Sequence, residues 1–90
     1  MFVYILLCEN GAYYTGYTTD LERRYQEHVQ GSPKCKFTQS FKPVKIAQSW
    51  KIHGDKSIAM QIERFIKKLS KEKKEQIILF PEKLHELFLD

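Results

Sequence analysis

Four of the chain's five tyrosines, Tyr4, Tyr13, Tyr14 and Tyr17, fall within its first eighteen residues. A phenol can donate a proton, accept one and orient a water, so this crowding suggests a surface on which hydroxyls are used. Arg24 and His28 follow, four residues apart. On a helix that spacing points both the same way, and it pairs a planar, permanently charged fork with a ring that titrates near neutrality. Glu63 stands inside a strongly apolar periodic stretch, one helical turn beyond the small Ala59. There it can face a cleft as a lone carboxylate, or pair at the surface with Lys67 in the favoured Glu-before-Lys order. Lys34, Lys36 and Lys42 interleave with Phe37 and Phe41. That mixture suits a phosphate backbone with stacked bases, and it equally suits phenylalanines plugging the core edge beneath solvated lysines.

These groups need elements to hold them. Phe2 to Cys8 is an apolar β-prone run, Glu9-Asn10-Gly11 a turn signal, and Ala12 to Thr18 a second β-prone run. Side chains alternate along a strand, so the turn length decides whether Tyr4 and Tyr14 share a face. A two-residue Asn10-Gly11 turn sets Tyr4 opposite Tyr17 and sends Tyr14 to the other face. A three-residue loop with Gly11 in the left-handed region sets Tyr4 opposite Gly16 and Leu6 opposite Tyr14, which unites the phenols. The three-residue register is the expectation, because it assembles the site without a further bulge.

A helix should begin at Thr19, with Glu22 completing a capping box, and stop near Gly31. Leu21, Tyr25 and Val29 form its narrow apolar stripe, with Arg24 and His28 on the flank. Gly31 to Pro43 reads as a loop. Val44, Ile46, Trp50 and Ile52 alternate with Lys45, Ala47, Ser49 and Lys51 as a half-buried strand, Gln48 being the polar exception. Asp55 is the expected cap of the helix carrying Ile58, Ile62, Phe65, Ile66 and Leu69. A lysine- and glutamate-rich stretch, Ser70 to Glu75, leads into a short apolar helix ending at Phe80-Pro81. Pro81 is expected in the first turn of a last helix docked by Leu84, Leu87 and Phe88.

Ninety residues hold one domain, a core over 1–79 with a helical tail over 80–90. A net charge of +4 and a pI near 9.1 lean toward a polyanionic partner. Cys8 reads as a small core hydrophobe and Cys35 as part of a polar loop, with no zinc-like spacing around either. The first residues lack a signal peptide's pattern, and no apolar stretch is long enough to span a bilayer. A reduced, cytoplasmic monomer with no membrane association and no obligate protein partner is expected.

Val3-Tyr4-Ile5, Tyr14-Thr15-Gly16, Arg24 with His28, and mid-helix Glu63 together resemble the GIY-YIG nuclease domain over nearly the whole chain. The stretch from Tyr14 to Leu21 resembles the small stand-alone bacterial members. Val3 and Thr15 stand where the family's name has Gly and Ile, at positions that vary within it. The resemblance implies an α+β fold: a small, mainly antiparallel three-stranded sheet, the N-terminal hairpin plus one later strand, flanked by helices. It implies metal-dependent hydrolysis of nucleic-acid phosphodiester bonds, DNA favoured, in a setting such as DNA repair. Structure-selective or single-stranded cleavage is expected, not sequence-specific cleavage, since a domain this compact has little left to read base edges. A nucleic-acid-binding module that keeps the fold with little or no catalysis is the alternative.

By the same resemblance Glu63 would hold Mg²⁺, or another divalent cation such as Mn²⁺, and Arg24 would clamp a phosphate oxygen. Tyr4 would orient or deprotonate the attacking water, its phenol lowered by the metal or by Arg24. Tyr14 and His28 would order water and phosphate, and Gly16 is the close-packing position of the motif. Tyr17 falls where some repair-nuclease relatives carry a lysine, and it joins Lys34, Lys36, Phe37 and Lys42 in the expected nucleic-acid-binding set.

Overall fold

The computed structural model describes residues 1–89; Asp90, the last residue of the expected tail, lies outside them. Three strands form one antiparallel sheet in the order β2-β1-β3: β1 (Phe2–Cys8), β2 (Tyr13–Thr18) and β3 (Pro43–Lys51). Helices α1 (Leu21–Gln30) and α2 (Lys36–Ser40) come between β2 and β3. Helices α3 (Lys56–Lys68), α4 (Lys71–Leu79) and α5 (Lys83–Leu89) follow β3. This is the expected α+β arrangement.

The hairpin adopts the three-residue loop. Gly11 N–H donates to the Cys8 carbonyl at 2.9 Å, and Cys8 N–H donates to the Ala12 carbonyl at 2.9 Å. Gly11 has φ 82°, where a side chain would be strained. Leu6 therefore pairs with Tyr14 and Tyr4 with Gly16, as the register argument requires.

Alternation then divides the sheet into two apolar faces. Val3 and Ile5 look toward Ala59 and Ile66 of α3, Ile77 of α4 and Leu84 of α5, which together make the main core. Tyr4, Leu6 and Cys8 look the other way, toward Leu21 and Tyr25 of α1. The central strand is thus covered on both sides, which explains why Val3 to Leu6 is an unbroken buried run.

Four local expectations in the first half of the chain are corrected. Asp20, not Thr19, caps α1, its carboxylate accepting from Arg23 N–H at 3.1 Å; the helix starts at Leu21, which puts Asp20 at the cap position. His28, not Val29, is the deeply buried residue of α1, because the helix turns its flank onto Tyr4 and Tyr14; Val29 is exposed. The stretch read as a loop contains α2, which buries Cys35 and Thr38 completely or nearly so. Finally, β3 does not alternate throughout. Ile5 pairs with Gln48 but Leu6 pairs with Ile46, so Ala47 is an extra residue in a bulge. The bulge sends Ile46 to the Tyr4 face while Ala47 and Trp50 pack on the main core.

The later helices match expectation more closely. Asp55 caps α3 by accepting from Ile58 N–H at 3.2 Å, and Ser70 caps α4 through Lys73 N–H at 3.2 Å. Gln48 is satisfied by donating to the Ile78 carbonyl at 2.9 Å. Pro81 lies in the turn ahead of α5 and not within its first turn; Lys83 N–H closes that turn on the Phe80 carbonyl.

Candidate active site

The site forms where β1, β2, α1 and α2 meet, on the sheet face away from the main core. Tyr4 and Tyr14 project from the same face with ring centroids 6.5 Å apart. His28 stands edge-on to both, at 5.8 Å from Tyr4 and 5.0 Å from Tyr14. The Tyr4 hydroxyl lies 2.9 Å from His28 Nε2, and Thr38 Oγ1 lies 2.8 Å from His28 Nδ1. Tyr4, His28 and Thr38 are at most 2% exposed, so this line of polar atoms is shielded from bulk water.

Gly16 makes the crowding possible. A Cβ there would lie 2.6 Å from Tyr4 Oη and 3.3 Å from a Tyr14 ring carbon. The phenol occupies the space a side chain would need, which is the physical content of a glycine at this place.

Arg24 borders the buried line and is about one-third exposed; its Nε lies 3.4 Å from Glu27 Oε1. That contact uses the Nε edge and leaves the terminal nitrogens of the guanidinium available. Arg24 also lines a polar cleft of about 140 Å³ with Thr18, Arg23, Glu27 and Lys34. Burial first, then the Arg24 charge, lowers the His28 pKa below its usual value, with Glu27 opposing. His28 is therefore a neutral base at neutral pH.

Arg24 by itself does not lower the Tyr4 phenol below its ordinary value. Burial outweighs everything else and pushes its pKa well above the ordinary phenol value; Tyr14, Cys35 and Glu63 add to the rise while Arg24 opposes it. Tyr14 is raised for the same leading reason, with Cys35 and Glu63 contributing. Both phenols stay protonated, so any proton Tyr4 gives up must pass directly to a partner.

Glu63 is carried on α3, which lies mainly along edge strand β2. Its charge is felt by both phenols. Its Oε1 lies 3.5 Å from Lys67 Nζ, the surface ion pair that the Glu-before-Lys order allows. Among the described residues no cluster of three or more His, Cys, Asp or Glu forms a metal cage. A single hard carboxylate fits Mg²⁺, which fills most of its shell with waters and phosphate oxygens.

The expected nucleic-acid set divides. Phe37 stacks on Tyr14 at 5.8 Å with an interplanar angle of 25°, and Phe41 follows at 5.5 Å, so three rings lead outward from the site. Lys34 lines the polar cleft and Lys36 opens α2. Lys42 is tied to the hairpin loop: Glu9 N–H donates to its carbonyl, and its own N–H donates to the Glu9 carboxylate. Tyr17 is not brought to this face: it pairs with Val3 and packs on the main core. Thr38 is absent from the expected site because its segment reads as a loop. The three-residue recurrence of Cys35, Thr38 and Phe41, with Phe37 and Phe41 four apart, is the helical signal available there. A larger groove of about 670 Å³, lined by Trp50, Ile58, Leu84 and Phe88 among others, contains none of the expected site residues.

The GIY-YIG catalytic domain family model matches residues 1–76. A UPF0213 protein of Halalkalibacterium halodurans is 42% identical over 77 residues, covering 86% of this chain and 80% of its own length. One from Natronomonas pharaonis is 43% identical over 77 residues, covering 86% of this chain and 88% of its own. The solution NMR structure of the UPF0213 protein from Bacillus halodurans superposes with a TM-score of 0.55 at 40% identity, covering 88% of this chain and 82% of that one. With its hairpin phenols, its Arg–His helix face and this match over most of its length, the chain belongs to the GIY-YIG catalytic domain family.

Proposed function

We propose that this protein is a metal-dependent endonuclease that cleaves single-stranded or branched DNA. The observation that carries the reading is the buried Tyr4 Oη to His28 Nε2 contact of 2.9 Å beside a half-open arginine. Hydrolysis of a phosphodiester requires a positioned water, charge stabilisation at the phosphate and a proton for the leaving oxygen. Tyr4 supplies the first. Its oxygen accepts the proton of the attacking water as its own proton passes to His28 Nε2, so the buried phenol never carries a full negative charge. The raised Tyr4 pKa disfavours a free phenolate and therefore favours this paired transfer.

Arg24, held through Nε by Glu27, presents its remaining nitrogens to a non-bridging phosphate oxygen. Tyr14 borders the same space and restricts the water's approach. A divalent cation such as Mg²⁺ held at Glu63 would stabilise charge on the phosphate and leaving oxygen.

The preference for unpaired strands rests on the ladder Tyr14–Phe37–Phe41. Its outer two rings are each 39% exposed at the mouth of the site. Exposed aromatic faces beside lysines stack bases that a duplex would keep to itself.

The test is cleavage of end-labelled single-stranded, flapped, branched and fully duplex DNA, with an RNA strand alongside, in Mg²⁺, Mn²⁺ or EDTA. Cuts in single-stranded or branched DNA that vanish in EDTA and with Tyr4→Phe are the expected result. Binding without cleavage in either metal would establish the binding-module alternative instead.

A further inference from the structure

The buried polar line continues past His28 into α2, and its hydrogen count has only one complete solution. Thr38 Oγ1 lies 2.8 Å from His28 Nδ1 and 3.1 Å from the Cys35 carbonyl oxygen. A carbonyl can only accept, so the Thr38 proton belongs on the Cys35 side. The imidazole must then supply the proton of the contact at Nδ1, which leaves Nε2 bare. At the other end, the Tyr4 hydroxyl has its one hydrogen-bond contact with that same Nε2, at 2.9 Å.

Reversing the line puts the proton on Nε2. The phenolic hydrogen of Tyr4 then has no acceptor among the described residues, although Tyr4 is 2% exposed. Buried donors without acceptors are rare and unfavourable. The Cys35 carbonyl also accepts from Gln39 N–H at 3.0 Å, so what selects the direction is keeping all three contacts as hydrogen bonds: Tyr4 O–H to Nε2, Nδ1–H to Thr38, Thr38 O–H to the Cys35 carbonyl.

We propose that Thr38 is a positioning residue whose hydroxyl fixes His28 as the Nδ1-protonated tautomer and so keeps Nε2 free to receive the Tyr4 proton. This rests on the proton transfer proposed above for its catalytic meaning, but not for its geometry. Thr38 is fully buried, and its hydroxyl meets only His28 Nδ1 and the Cys35 carbonyl among the described residues. It acts only through His28. It also gives α2 a purpose that its five residues do not otherwise suggest. The helix brings its Cys35 carbonyl and Thr38 hydroxyl to the far side of the imidazole, as the carboxylate does in a hydrolytic triad, here with a neutral pair.

The test reads the tautomer directly. Full-length protein with ¹⁵N-labelled histidine is examined by NMR at about pH 8, above the ordinary histidine pKa of about 6.5. His28→Gln assigns the His28 signals against those of His53 and His85. The expected wild-type spectrum has a protonated Nδ1 and an unprotonated Nε2. Thr38→Val, similar in shape but without the hydroxyl, shifts the population toward the Nε2-protonated form, and Thr38→Ser restores the original pattern. On a cleavable DNA strand, Thr38→Val lowers kcat by about a hundredfold, the scale of a lost general base, with KM little changed, and Thr38→Ser recovers most of it.

A wild-type ring protonated at Nε2 overturns the proposal. So does a folded Thr38→Val protein that keeps the wild-type tautomer. If Thr38→Val does not fold, the wild-type spectrum and Thr38→Ser still decide. Because the spectrum needs no substrate, a protein that never cleaves DNA defeats the nuclease reading and leaves the tautomer assignment standing.

Discussion

At the scale of single residues, the site combines groups whose environments push them to opposite tasks. Burial keeps the Tyr4 phenol protonated and the His28 imidazole neutral, the two states that the proposed proton transfer requires. Because the folded protein holds the His28 pKa below its usual value, activity that requires neutral His28 should persist somewhat below pH 6.5, the ordinary histidine value. A pH–rate profile whose acid limb falls above pH 6.5 would contradict this. The same shift bears on stability. As pH drops through about 6.5 the unfolded chain takes up the proton first, so this contribution is present above that pH and lost below it. Glu63 offers a separate test. Glu63→Gln retains size and gives up only a partly exposed ion pair with Lys67, so stability should change by under about 1 kcal/mol in chemical denaturation. Cleavage should fall at least about a hundredfold, and wild-type turnover by the Gln variant would remove the metal role from this carboxylate.

At the scale of elements, the hairpin and α2 have different responsibilities. The three-residue loop places Tyr4 across from Gly16, and the phenol lies where a Cβ would be. Gly16→Ala should therefore displace the Tyr4 hydroxyl from His28 and abolish most cleavage. A modest fall in the thermal midpoint should accompany it, since overpacking by one methyl typically costs about 1–3 kcal/mol. Full activity in the Ala variant would mean that Tyr4 is not held by this contact. Helix α2 carries Lys36 and Phe37, with Lys34 before it and Lys42 after. Replacing the three lysines by alanine should weaken single-strand binding and lower the magnitude of the salt slope, by up to about 0.7 for each phosphate no longer neutralised. An unchanged slope would remove this segment from the nucleic-acid surface.

At the scale of the whole molecule, the two faces of the sheet separate the phenol cluster from the main core. The main core, from Val3 and Ile5 through Ile66 and Ile77 to Leu84, lies opposite the phenols. Trp50 Nε1–H donates to the Pro81 carbonyl at 2.9 Å and ties the last helical segment to the sheet. Leu84 of α5 is 5% exposed and lies beyond the 1–76 family match, so this chain completes its core with a segment outside that match. Leu84→Ala should destabilise the fold by about 2–5 kcal/mol in denaturant titration while the folded fraction keeps its activity. A selective loss of kcat at unchanged stability would show that α5 communicates with the site.

Local physics in the sequence was enough for the hairpin, the Arg–His flank of α1, the Asp55 cap and the long stripe of α3, because each depends on neighbours within a few positions. The requirement that Tyr4 and Tyr14 share a face even selected the loop length, which propensity for Asn-Gly alone would not have done. What depended on distant partners was not legible. The Ala47 bulge answers to the pairing of β3 with β1, and α2, with only a brief recurrence at Cys35, Thr38 and Phe41, is held by burying Cys35 and Thr38. Tyr17 carries the same phenol as Tyr4 and Tyr14, and only the sheet's alternation assigns it to the opposite face. The sequence thus determined which groups could perform the chemistry. The tertiary structure decided which were buried together, and burial set the protonation states, because the cost of a charge depends on what surrounds it.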